Sequence, residues 1–119
     1  MIIEVPRLNY REIPLIIRDL GYSNKPRFDI TDYRVIVTIK EFTTDGETLI
    51  RIQKDTDGGG GIKTDAVNGE WSLIVTPGDL NLPPTDYKYD VFVIKDNEAY
   101  SNKPDIFRVD ATVLGELPI

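Results

Sequence analysis

Three runs of this 119-residue chain alternate with a period of two, and that alternation constrains the fold more than any other feature. In residues 33–40, Tyr33, Val35, Val37 and Ile39 oppose Arg34, Ile36, Thr38 and Lys40. Residues 70–76 set Trp71, Leu73 and Val75 against Glu70, Ser72, Ile74 and Thr76. Residues 87–94 set Tyr87, Tyr89, Val91 and Val93 against Lys88, Asp90, Phe92 and Ile94. Successive side chains of a strand point to opposite faces, so each run reads as a strand with one face on a core. Weaker runs at 13–19, 48–53 and 105–111 put Ile13, Leu15, Ile17, Ile50, Ile52, Phe107, Val109 and Ala111 inward, and a short strand is expected at 62–65. No stretch shows the 3.6-residue period of a long amphipathic helix.

Turn chemistry separates these runs. Thr44-Asp45-Gly46-Glu47 is a compact hairpin signal. Asp55 to Gly61, ending in four glycines, can turn in conformations closed to other residues. Thr76-Pro77-Gly78-Asp79 predicts a single helical turn, with Thr76 as N-cap, Pro77 at the first position and Asp79 reaching back. Leu82-Pro83-Pro84 then hands the chain to the tyrosine run. Short strands punctuated in this way specify an all-β fold, an immunoglobulin-like antiparallel β-sandwich of about seven strands. Tyr89, or Tyr87 one register earlier, is placed to form the tyrosine corner of such a sandwich, whereas Trp71 falls too late for the antibody tryptophan. The expected organisation is an N-terminal arm at 1–12, the sandwich at 13–113 and a C-terminal tail at 114–119. The pentapeptide Tyr22-Ser23-Asn24-Lys25-Pro26 recurs as Tyr100-Ser101-Asn102-Lys103-Pro104. Both copies are expected to be turns at one end of the domain, delivering its first and last strands.

Composition narrows function. With no cysteine and no histidine, the chain has no disulfide, no thiol nucleophile, and neither the commonest general base nor the commonest metal ligand. Its 14 basic residues are scattered among 20 acidic ones for a net charge of −6. A grip on nucleic acid needs clustered cations to displace phosphate counterions, so neither nucleic acid nor an anionic membrane is an expected partner. No apolar run is long enough to span a bilayer. The opening Met1-Ile2-Ile3-Glu4-Val5-Pro6 lacks the basic region of a secretory signal, so the mature chain is expected to begin there.

Candidate chemical sites fail on their own terms. Asp55-Thr56-Asp57-Gly58 suggests a calcium loop, but an EF-hand starting at Asp55 would need ligands where Gly59 and Ala66 stand. The four glycines lead through Ile62-Lys63-Thr64 into a strand rather than the helix that a phosphate cradle needs. Ser23, Ser72 and Ser101 have no histidine to activate them. The many carboxylates offer pairs for glycoside cleavage, yet convex sheets leave little room for a cleft. The expectation is a protein that is not an enzyme, with no catalytic residue, cofactor or metal.

What remains is apolar side chains where solvent should be. Ile36, Ile74, Phe92 and Ile94 lie on the faces opposite the core sets. Either the terminal segments 1–12 and 112–119 fold back over them, or they meet a partner protein. Ile2, Ile3, Val5, Leu114, Leu117 and Ile119 could equally serve as docking arms. A carbohydrate-binding surface module is the alternative, with Tyr10, Tyr22 and Tyr100 as its loop aromatics.

The order of features from Asp29-Ile30-Thr31-Asp32-Tyr33-Arg34-Val35 through Ile50 to Lys54, the glycine run with Ile62, Asn68-Gly69, Thr76-Pro77, Leu82-Pro83-Pro84, Tyr87-Lys88-Tyr89-Asp90-Val91 and Phe107-Arg108-Val109 resembles one known pattern. It is similar to the N-terminal domain of phage baseplate upper proteins and related small tail proteins. The resemblance covers about residues 13–113 and rests on structural motifs. It implies an immunoglobulin-like sandwich that assembles with other virion proteins and with itself, often as a trimer. On that basis the expected protein is a structural component of a tailed-phage virion, an adaptor in the tail, baseplate or fibre attachment, assembled in the host cytoplasm. No long stem follows the domain in this sequence, and the first dozen residues lie outside the pattern, which leaves a head, neck or capsid-decorating position open.

Overall fold

The computed structural model describes residues 2–19, 23–24, 26–41, 49–96, 98–101 and 105–111. Among them every expected strand forms: β2 (Arg11–Ile16), β3 (Arg34–Lys40), β4 (Ile50–Asp55), β5 (Gly61–Asp65), β6 (Glu70–Val75), β7 (Thr85–Lys95) and β9 (Asp105–Asp110). Two more join them, β1 (Ile3–Pro6) and β8 (Glu98–Ser101). β1 is too short to register a period. β8 is exposed along its whole length, so no burial imposes an alternation on it. The hairpin signal at 44–47 lies outside the described residues.

The strands divide into two sheets. The larger runs β1-β9-β7-β3-β4, with β8 folded back onto β7, and the smaller runs β2-β6-β5. All neighbours are antiparallel except β1 and β9. The chain changes sheet after β1, β2, β4 and β6. β2-β6-β5 take the places of strands B, E and D, and β9-β7-β3-β4 those of G, F, C and C′ in a variable-type immunoglobulin domain. The fold is therefore an all-β, immunoglobulin-like sandwich.

The inward rows supply the core. Val35, Val37, Ile39, Val91, Val93, Phe107 and Val109 from the large sheet meet Leu15, Trp71, Leu73 and Val75 from the small one. Ile30 and Leu80 close its two ends. Each such side chain contributes about 1.5–3 kcal/mol when fully removed from water. Trp71 fills the middle from β6 rather than from β3, where the antibody tryptophan sits, and β3 is correspondingly all valine and isoleucine inward. Two expected core positions are not in the core. A register shift between Ile39 and Lys40 inserts Arg51 as an extra residue, so Ile52 pairs inward with Ile39 while Ile50 is 56% exposed. Ala111 lies just past the end of β9 and is exposed.

The two corners follow their local chemistry. Asp79 Oδ2 accepts from the Thr76 backbone N–H at 2.9 Å, and the Asp79 N–H donates to Thr76 Oγ1 at 3.2 Å. The Leu80 N–H donates to the Thr76 carbonyl, closing one turn. The tyrosine corner belongs to Tyr87, whose hydroxyl donates to the Pro83 carbonyl, and not to Tyr89. At the far end, the segment after the first Tyr-Ser-Asn-Lys-Pro copy delivers β3, not the first strand. Its Phe28 ring lies 6.0 Å from Tyr100, where the second copy begins. Tyr100 thus lies beside the segment that follows the first copy, while Tyr22, Lys25 and residues 102–104 lie outside the described residues.

Candidate functional site

The outward face of the large sheet gathers the apolar residues that the core does not claim. Ile36 on β3 and Phe92 on β7 are direct register partners, and Ile94 follows Phe92 on the same face, opposite Arg34 and Ala99. All three are half-buried. Two residues earlier along β7, Asp90 pairs with Thr38; both are buried, and Lys40 Nζ lies 3.0 Å from Asp90 Oδ2. The next row crosses from Ile106 on β9 through Lys88 and Lys40 to the bulged-out Ile50. Ile2, 49% exposed, precedes Ile3 of β1 and so stands beside Ile106.

Cations on the face answer its carboxylates. Arg108 donates to Asp86 at 2.7 Å and to Glu4 at 2.8 Å, bridging β9 to β7 on one side and to β1 on the other. Its guanidinium holds the Asp86 carboxyl below the usual carboxylate range. Arg34 does the same for Asp55 across a 2.8 Å contact, helped by the backbone N–H of Asp57. These pairs hold strands together, and the Asp86 and Asp55 carboxyls are shifted in the direction opposite to the one a general acid needs.

Not every expected interface residue joins this face. Ile74 is half-buried on the outward face of the small sheet, where it shares a surface with Pro14, Ile16 and Ile62. Ile3 and Val5, expected to dock on a neighbour, are instead 5% and 2% exposed inside the domain's own core. The reason is that residues 3–6 form a strand on β9, which turns their side chains toward the small sheet. Leu114, Leu117 and Ile119 lie outside the described residues. Ile106 and Ile50 are additions. Ile106 was legible from its alternation against Phe107 and Val109, whereas Ile50 depends on a bulge that nothing local announces.

The other candidate loops are structural. Arg34 engages both acids of the Asp55-Thr56-Asp57 run, with Nη2 at 2.8 Å from Asp55 and Nε at 3.7 Å from Asp57. A cation there is already supplied by the chain. Among the described residues no group of three or more acidic, histidine or cysteine side chains is placed to hold a metal. The glycine run turns through positive φ at Gly58 and Gly60 and enters β5. Tyr10 and Tyr100 are each 51% exposed, but Tyr10 precedes β2 near the Thr76–Leu80 corner and Tyr100 pairs with Val93 toward the opposite end. Tyr100 instead clusters with Phe28 and Tyr33, whose ring carries Lys95 Nζ at 5.6 Å from its centroid. Tyr22 lies outside the described residues.

No protein-family model matches the sequence, and no curated protein does. Among solved structures, that of murine CRIg is similar over 93% of this chain and 92% of its own, with 13% identity and a TM-score of 0.45. The fold assignment rests on the strand order described above, independently of that likeness.

Proposed function

We propose that this chain is a non-catalytic, immunoglobulin-like interaction module that binds another protein through the outward face of its large sheet. The observation that carries this reading is the cross-strand pair Ile36–Phe92, extended by Ile94 on one side, with Ile106, Ile2 and Ile50 at the sheet's margins beyond the polar Thr38–Asp90 pair. An apolar surface of this kind, bordered by polar residues, is the anatomy of an interface centre and its rim. Internal pairing of Asp86, Glu4, Asp90 and Asp55 with Arg108, Lys40 and Arg34 means that covering the face leaves these charges paired, while Lys88 offers its ammonium to the partner. The setting we propose is a tailed-phage particle, with the module as an adaptor in the tail, baseplate or fibre attachment. The support for that setting is the motif order from Asp29 to Val109.

Cross-linking of intact particles with a lysine-reactive reagent tests both levels. Lys40 and Lys88 stand on the proposed face, whereas Lys54 and Lys63 do not. Cross-links from Lys40 and Lys88 to another virion protein are expected. Cross-links only from Lys54 and Lys63 would overturn the face, and absence of the chain from particles would overturn the setting.

A second reading is favoured by Tyr100, which is half exposed above Phe28 and Tyr33. A sugar ring stacked on Tyr100 would make the module a carbohydrate binder. Glycan-array binding abolished by Tyr100→Ala would establish that reading, and an array without hits would remove it.

A further inference from the structure

We propose that β1 exchanges between two copies of this chain, so that residues 3–6 of one copy pair with β9 of the other. Three observations meet in this segment. First, β1 is a four-residue edge strand with a single neighbour, and its pairing with β9 is the sandwich's one parallel ladder among the described residues. Its contribution is nevertheless large, because Ile3 and Val5 go into the core alongside Phe107 and Val109. The slot on β9 therefore takes an extended segment with apolar residues at alternate positions, and a second copy offers that segment by construction.

Second, the connection from β1 to β2 is short and strained. It leaves the large sheet at Arg7 and reaches the small sheet at Arg11, with Leu8 held at φ 61°. A leucine in that left-handed region is disfavoured by about tenfold against extended backbone. Opening the connection releases that strain in both copies, and short strained hinges favour exchange. Residues 7–10 extended reach about 13 Å, so an exchange through this hinge would bring the two β9 edges close together.

Third, exchange changes few contacts. Glu4 would meet Arg108 of the second copy as it now meets its own, and Ile3 and Val5 would fill identical cavities. The contacts given up lie in the hinge, where the Leu8 N–H donates to the Leu80 carbonyl and Asn9 Nδ2 donates to the Arg7 carbonyl. Remaking every native contact of the exchanged element is what makes swapping a low-cost route to a dimer.

The chain lacks cysteine, which makes a direct test clean. Glu4 and Arg108 are Cα partners across the ladder, so Glu4→Cys with Arg108→Cys bridges whichever β1 occupies the slot. The doubly substituted chain is incubated at millimolar concentration, diluted, oxidised and run without reductant. A covalent dimer with its disulfide mapped between positions 4 and 108 is expected. In sedimentation of the chain without cysteines, Leu8→Gly is expected to weaken dimerisation about a hundredfold, since two hinges lose their strain per dimer. A bridge formed only within single chains, or a Leu8→Gly protein that dimerises as tightly as its parent, would overturn the proposal.

Discussion

The Tyr87 hydroxyl donates a 2.8 Å hydrogen bond to the Pro83 carbonyl oxygen, pinning the start of β7 to the corner that feeds it. The ring is buried while the oxygen it serves lies four residues back in an irregular segment, so one side chain fixes both the register and the entry angle of the central strand. Tyr87→Phe keeps the ring and leaves that carbonyl without its donor. The expected cost is about 1–2 kcal/mol, read from urea unfolding with an unchanged m-value.

Gly69 is held from two sides. Its φ is 71°, and a Cβ there would lie 2.6 Å from the carbonyl oxygens of both Ile17 and Phe28. Those oxygens belong to backbone tied in place by the Ile17 N–H to Gly69 and the Phe28 N–H to Ile17 hydrogen bonds, so they cannot yield cheaply. Gly69→Ala is expected to cost more than about 2 kcal/mol, lowering the melting temperature by about 8 °C or more.

The Thr76–Asp79 corner also holds a lysine. Asp79 Oδ2 lies 2.8 Å from Lys54 Nζ in addition to its bonds with Thr76. Burial opposes ionisation of this carboxyl, but Lys54 and Thr76 outweigh it and leave the pKa lowered. A depressed carboxyl contributes stability that is present above its unfolded value near 3.8 and is lost as pH falls through the folded one. Asp79→Ala should cost about 1 kcal/mol at neutral pH and make the acid limb of the stability profile shallower below pH 4. Chemical denaturation repeated at several acidic pH values reads both.

At the other extreme, burial and then the charge of Asp105 push the Tyr89 hydroxyl up to about 12. The neutral form is thus favoured in the folded state. Its contribution is fully present below pH 10, where the unfolded chain also keeps the proton, and is lost as pH rises toward 12. Tyr89→Phe should flatten stability against pH in that window, as followed by alkaline unfolding.

Much of the sandwich is legible in the alternation of residues 33–40, 70–76 and 87–94, because a side-chain period of two fixes which residues share a face before any partner strand is known. The same logic marks Ile36, Phe92 and Ile94 as outward and apolar. It cannot say that Ile36 and Phe92 touch while Ile74 lies on the other sheet, since pairing is a long-range choice that leaves no local trace. Arg34 offers a related case. Its engagement with Asp55 and Asp57 is invisible in a sequence where 21 residues separate the first pair, yet it decides that this loop is an ion-paired turn.

The sequence by itself determined an all-β architecture and the absence of thiol and imidazole chemistry, because strand periodicity and residue inventory are properties of single positions. Only the tertiary structure decided that Ile3 and Val5 belong to the core, that Tyr87 and not Tyr89 makes the corner, and that Ile50 turns outward. The first and last of those outcomes hang on register between segments distant in the chain, and the corner on how the irregular segment before β7 bends back to the Tyr87 hydroxyl. Register is set by the joint packing of two sheets, so a one-residue bulge or a four-residue edge strand can reassign a side chain without any change in its neighbours along the sequence.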